Sequence, residues 1–243
     1  MNKKIILSFF ASLLFLSQAA NAEIKIGKGS LTFNAGVASN YVFRGVEQNR
    51  AKPAPFAGAD FTIPAGDFGL YLGTWFSASD GTDSHSYEYD VYAGVTKTIG
   101  IATFDIGYAS YMYPDASTKA AEQTAEYYGK LTLAPDKQPY TFGVAYYVDD
   151  TDGIRDSSTP RKASQGTYYE ANATYDFGTV QSKISYGVWE NDTNTTTITL
   201  SKELATINFD LSYIKADADN RNQSSLATSG DREYIVLQAK KVF

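Results

Sequence analysis

The sequence predicts an all-β chain folded as a transmembrane up-and-down antiparallel β-barrel of about twelve strands. Three observations predict it. Apolar and polar residues alternate along most of the chain, which is the period of a strand with two unlike faces. The connections between these stretches are short and long in turn, as in a barrel with two unlike ends. Aromatic residues make up 14% of the chain and 19 residues are tyrosine, which suits strand ends at a water–lipid boundary.

The first element is not a strand. Lys3 and Lys4 precede an apolar run over 5–16 broken only by Ser8 and Ser12, and Ala20-Asn21-Ala22 offers a small-residue cleavage site. This is the pattern of a secretory signal peptide over 1–22, cut between Ala22 and Glu23. An N-terminal anchor is the alternative, but the run is too short to span a bilayer. The barrel is then expected to occupy 23–243.

The strands follow in order at 30–45, 55–63, 68–78, 86–97, 101–113, 123–134, 139–149, 166–176, 179–190, 195–204, 206–215 and 232–243. In the first, Leu31, Phe33, Ala35, Val37, Tyr41 and Phe43 share one parity, and Thr32, Asn34, Gly36, Asn40 and Arg44 the other. Tyr87, Tyr89, Val91, Ala93 and Val95 alternate with Glu88, Asp90, Tyr92, Gly94 and Thr96. Tight turns at Pro64-Ala-Gly-Asp67, Thr98-Ile-Gly100, Pro135-Asp-Lys-Gln138, Phe177-Gly178 and Leu204-Ala205 join alternate pairs. The other joints are mostly longer and polar, as at 150–165 and 215–231.

A soluble barrel of lipocalin type would turn the apolar parity inward, but it uses about eight strands and needs no asymmetry between its ends. A membrane barrel turns that parity toward lipid and the polar parity inward. Mid-strand charges fall on the polar parity: Asp60, Asp90, Asp105, Lys130, Glu170, Lys183 and Asp210. Tyr111, Tyr113, Tyr168 and Tyr169 sit near strand ends and are expected in the interface girdles. Symmetric pairing about the 80–83 loop sets Trp75 opposite Glu88, Gly73 opposite Asp90, Tyr71 opposite Tyr92 and Gly69 opposite Gly94. The next turn sets Gly94 opposite Asp105 and Tyr92 opposite Gly107. The candidates for the lumen wall are therefore Arg44, Asp60, Tyr71, Trp75, Glu88, Asp90, Tyr92, Asp105, Lys130, Glu170, Lys183 and Asp210.

The last strand carries Ile235, Leu237, Ala239 and Phe243 on one parity, with Lys241 interrupting. It resembles the C-terminal signal of bacterial outer-membrane barrels, and that resemblance implies that Phe243 is read by the barrel-insertion machinery. "ASNYVFRGV" (38–46), "GLYLGTW" (69–75), "YEYDVYAG" (87–94) and "DIGYASYMYP" (105–114) together resemble the porins of the TorF family. The likeness runs along the whole exported part and is strongest over 36–114. It implies an outer-membrane barrel and a channel, with no known substrate and no catalytic residues to carry over.

Composition narrows the function. The chain has 21 basic and 27 acidic residues and a net charge of −6, which disfavours nucleic acid as a partner. With no cysteine and one histidine, it has no disulfide framework, no thiol chemistry and no multi-histidine metal cage. A lipid-hydrolase reading would have to use His85, which lies between Ser84 and Ser86, too close in sequence for either to face it as a triad requires. Aligning the acidic stretch 148–156 on a calcium loop with Gly153 at position six puts Val148 at position one and Thr159 at position twelve, neither of them the required carboxylate. No metal site and no cofactor are expected. Acids outnumber bases among the wall candidates, and an acidic wall favours cations. The expected function is passive diffusion of small hydrophilic solutes or ions. A closed structural or adhesive barrel is the alternative, because twelve strands lie between filled and open barrels. The expected partners are outer-membrane lipid and lipopolysaccharide, the insertion machinery and small solutes. Both termini are expected in the periplasm of a Gram-negative cell.

Overall fold

The computed structural model describes residues 23–80, 86–116, 123–150, 166–190, 193–218 and 231–243, and the expected signal peptide with Ala22, His85 and most of the acidic 148–156 stretch lie outside them. Every regular element among the described residues is a strand. A short β1 (Ile24–Ile26) folds back on β2 (Gly29–Ala38). A two-stranded hairpin, β3 (Val42–Phe43) and β4 (Val46–Glu47), follows. Then come β5 (Ala54–Ala65), β6 (Phe68–Ala78), β7 (Tyr87–Ile99), β8 (Ala102–Met112), β9 (Gln123–Leu133) and β10 (Tyr140–Asp149). The chain ends with β11 (Tyr168–Asp176), β12 (Gln181–Trp189), β13 (Thr193–Leu204), β14 (Ile207–Ala218) and β15 (Arg232–Val242).

β2 and β5 to β15 form a closed antiparallel barrel of 12 strands. β15 pairs with β2 from Gln238↔Ala38 to Val242↔Asn34, so no edge of the barrel is left unpaired. The Phe243 amide donates to the Phe33 carbonyl at 2.7 Å, and the Phe33 amide returns a bond at 3.1 Å. Two-residue turns close one end: Gly66-Asp67 between Ala65 and Phe68, Gly100-Ile101 between Ile99 and Ala102, and Ala205-Thr206 between Leu204 and Ile207. These turns are tight because the first residue of each holds φ > 0.

The faces are inverted relative to a soluble protein. Ile106 is 65% exposed and Ile235 73% exposed on the outer wall, whereas Glu88 is 2% exposed inside. Such a surface needs an apolar solvent, and a closed barrel leaves no backbone group unpaired within it. Aromatic pairs band both ends of the outer wall. Tyr108–Tyr127 (4.8 Å) and Tyr146–Tyr169 (5.0 Å) lie toward the loop end, and Tyr140–Phe142 (5.5 Å) and Tyr175–Phe177 (4.6 Å) toward the turn end.

Three expectations need correction. The first barrel strand stops at Ala38 rather than running to 45. The alternation of Tyr41 and Phe43 belongs to the β3–β4 hairpin, whose Arg44-Gly45 turn has φ of 47° and 82°, the two left-handed residues of a type I′ turn. The registers of β6–β7 and β7–β8 are each displaced by two residues. Trp75 faces Asp90, Gly73 faces Tyr92 and Tyr71 faces Gly94, then Gly94 faces Gly107 and Thr96 faces Asp105. The β7–β8 turn centres on Gly100-Ile101, one residue beyond the symmetric guess, and each residue of turn displacement moves the register by two. Of the four tyrosines expected in the girdles, only Tyr169 is on the outer face, 48% exposed. Tyr168 is buried at 2% and the Tyr111 hydroxyl donates to Glu126 at 2.6 Å. Tyr111 and Tyr113 share the parity of Asp105, and Tyr168 that of Glu170, so alternation carries them inward.

Candidate functional site in the barrel lumen

The 39–53 segment joins β2 to β5 across the loop end of the barrel and folds into the lumen. The hairpin within it is held by its own hydrogen bonds. The Gln48 amide donates to the Tyr41 carbonyl (2.8 Å), the Tyr41 amide to Asn49 Oδ1 (2.8 Å) and the Asn40 side-chain amide to Glu47 (2.9 Å). Its outer side is tied to the next loop, where the Asp80 amide and Ser79 hydroxyl donate to the Gln48 carbonyl and Lys52 pairs with Asp80.

At the tip, Arg44 makes a two-bond fork with Glu126, both at 2.8 Å, and the two side chains are only 9% and 10% exposed. Four rings surround the guanidinium, at 4.6 Å (Phe43), 3.8 Å (Tyr147), 4.6 Å (Tyr168) and 5.4 Å (Trp189) from its carbon. A planar, weakly hydrated cation suits this box, and an ammonium would not. The Arg44 carbonyl accepts from Trp189 Nε1 at 3.2 Å and from the Thr195 hydroxyl at 3.1 Å. Gly45 is required here, because a Cβ would lie 2.5 Å from Thr195 Oγ1 and 2.9 Å from the Ala216 Cβ.

The loop's other side chains reach the opposite wall. The Tyr41 hydroxyl donates to Glu88 at 2.9 Å and its ring meets Trp75 edge-on at 5.4 Å. Burial, then the Glu88 charge, hold that hydroxyl well above its ordinary pKa, so it remains a donor. Phe43 packs on Tyr111, and Val42 on the cluster of Ala38, Ile214 and Val236. The hairpin thus touches every strand from β6 to β15.

Beneath it lies a cavity of about 1000 Å³ roofed by Phe43 and Arg44. Asp60, Tyr71, Trp75, Asp90 and Tyr92 line it from β5 to β7, and Asp105, Lys130, Glu170 and Lys183 from β8 to β12. Most of the charges are satisfied locally. Tyr92 donates to Asp60 (2.5 Å), Tyr71 to Asp105 (2.6 Å), Lys130 lies 3.7 Å from Asp105 and Lys183 3.9 Å from Glu170. Tyrosine rings occupy the space that glycines leave on the neighbouring strand. A Cβ on Gly94 would strike the Tyr71 ring, and one on Gly73 the Tyr92 ring.

The structure therefore brings ten of the twelve expected wall residues to one cavity, Arg44 through the hairpin rather than from a barrel strand. Glu88 is buried above it against Tyr41, and Asp210 lies elsewhere, accepting from Gln238 at 3.2 Å. Glu23 is exposed next to β1, and Lys241 is buried with its ammonium 5.5 Å from the Phe243 ring. Sequence reasoning passed over Tyr41, Glu126, Tyr147 and Trp189. Parity alone would have placed the last three inward, since Glu126 shares the face of Lys130 and Trp189 that of Lys183. Among the described residues, no group of three or more histidines, cysteines or carboxylates is arranged to hold a metal ion.

The barrel resembles solved outer-membrane proteins in fold alone. The toluene transporter TodX of P. putida is 8% identical, with 91% of this chain and 81% of that chain covered and a TM-score of 0.53. A chain solved in work on in-meso crystallization of membrane proteins is 8% identical over 87% of this chain and 83% of the other, also at 0.53. Outer membrane phospholipase A of Escherichia coli covers 92% and 91% at 10% identity, but its TM-score of 0.49 supports no functional argument. Comparison with curated proteins gives no match. A family model described as a bacterial protein of unknown function matches residues 25–243, so the chain belongs to that family, Gcw_chp.

Proposed function

We propose that this protein is an outer-membrane diffusion channel for small hydrophilic solutes or ions, with a preference for cations, constricted by the 39–53 loop. The observation that carries the reading is the cavity of about 1000 Å³ inside a closed barrel, walled by charged and hydroxyl-bearing side chains. A barrel with a purely structural role would gain more by filling this space with apolar side chains. The resemblance to TorF-family porins agrees with it. Asp60, Asp90, Asp105 and Glu170 outnumber Lys130 and Lys183 on the wall, and such a field favours cations. Nothing in the reading calls for catalysis, a cofactor or coupled energy.

In this proposal the signal peptide is removed before Glu23, the two-residue turns face the periplasm, and Phe243 is the residue that the insertion machinery reads. Edman sequencing of outer-membrane material should begin at Glu23; a start at Met1 would count against export by cleavage. Proteoliposomes should swell in small neutral and cationic solutes and exclude large ones. Under a salt gradient the reversal potential should have the sign of cation selectivity. The loop's seat against ten strands favours a second reading, a barrel closed for structural or adhesive use. Absence of swelling with every solute, from protein shown to be folded, would select it.

A further inference from the structure

We infer that Glu88 and Asp90 together bind a proton that keeps the 39–53 loop seated in the lumen, so that closure of this barrel is controlled by pH. The two residues stand two apart on β7 and therefore on the same inner face. Both are nearly dry, at 2% and 7% exposure, so the two acids share one water-excluded patch of the wall. Two like charges held this close and away from water cannot both form at small cost, so one of the two acids keeps a proton. Asp90 Oδ1 is buried without a hydrogen-bond partner. Glu88 accepts from Tyr41 on the loop and from Tyr113 beyond β8.

Among the described residues, no cation pairs with either carboxyl group. Tyr111 on β8 donates to Glu126 on β9, and Glu126 in turn takes the fork of Arg44, whose charge is thereby spent on another carboxylate. Tyr92, next on the same face of β7, donates to Asp60. Trp75 and Ser77, opposite on β6, carry no charge. Two bare carboxylates in this place would be strongly destabilising without a partner. The loop is the lid that keeps them dry. Withdrawing it lets water reach both, and both can then ionise. The seated state therefore binds one proton more than the withdrawn state. By linkage, acid favours the seated loop, and raising the pH favours its withdrawal by up to about tenfold per unit.

The test needs no label. The chain has two tryptophans, and Trp75 and Trp189 both contact the loop. In proteoliposomes titrated from pH 5 to 9, tryptophan emission should shift red and acrylamide quenching should rise several-fold. Asp90→Asn should abolish that transition, because the amide can donate to an ionised Glu88 and the pair no longer needs a proton. No transition in the wild type, or an unchanged one in Asp90→Asn, would overturn the inference. So would a transition driven at fixed pH by a chelator, which would mean that a metal ion rather than a proton fills the site. The inference rests on the channel reading only for its consequence. A fluorescence transition without any conductance would uphold the proton site and sink the channel. Conductance that ignores pH, with constant fluorescence, would do the reverse.

Discussion

Arg44 is the residue on which the lumen's closed half depends. Its fork to Glu126 is buried, and removing one member of such a pair leaves an unpaired charge at a cost of about 3–5 kcal/mol. Arg44→Ala should therefore lower the thermal unfolding midpoint and raise conductance together. Arg44→Lys should recover little of either, since a point charge cannot make the fork or stack in the ring box. Glycine sets a second residue-scale test. Gly94→Ala drives a Cβ into the Tyr71 ring and should destabilise the barrel by about 1–3 kcal/mol in urea titration, displacing Tyr71 from Asp105. Gly129→Ala has open space around it on the outer wall and should be close to neutral. Equal effects from the two would refute the interlocking of tyrosine and glycine across strands. At this scale the sequence was legible wherever parity sufficed. Asp60, Asp105, Lys130, Glu170 and Lys183 all face the cavity. Parity does not tell depth, so the burial of Glu88 and Tyr168 under the loop could not be read.

Strands were the most legible elements, because alternation with period two is a strong signal over nine to thirteen residues. Register was less so. A displacement of two residues leaves every side chain on its expected face, so the error in β6–β7 and β7–β8 had no pattern to expose it. The inward hairpin was hidden for a related reason, since β3 continues the alternation of β2. The available clue was Gly45 alone, since glycine suits the second left-handed position of a type I′ turn while Arg44 at the first position gives no such signal. Val42 packs on the cluster that contains Ile214 and Val236, and the chain has no cysteine. A Val42→Cys/Ile214→Cys pair should therefore cross-link under mild oxidation and lock the loop. Oxidation should cut conductance several-fold and reducing agent should restore it. Free passage through the cross-linked barrel would mean that the path avoids the loop.

The whole molecule is a closed sheet with its apolar side out and its polar side in. Its stability rests on cross-strand hydrogen bonds around an unbroken ring rather than on an apolar core, so detergent alone should not unfold it. Unboiled protein should migrate differently from boiled protein and give a β-type circular dichroism spectrum. That migration shift is the folding control for every variant above. The most direct measurement of the central claim is single-channel recording in planar bilayers of the wild type beside a variant in which 40–52 is replaced by a short Gly-Ser link. The account predicts small, cation-preferring steps for the wild type at neutral pH and several-fold larger steps for the shortened loop. A folded, shortened-loop barrel that passes no current would contradict it.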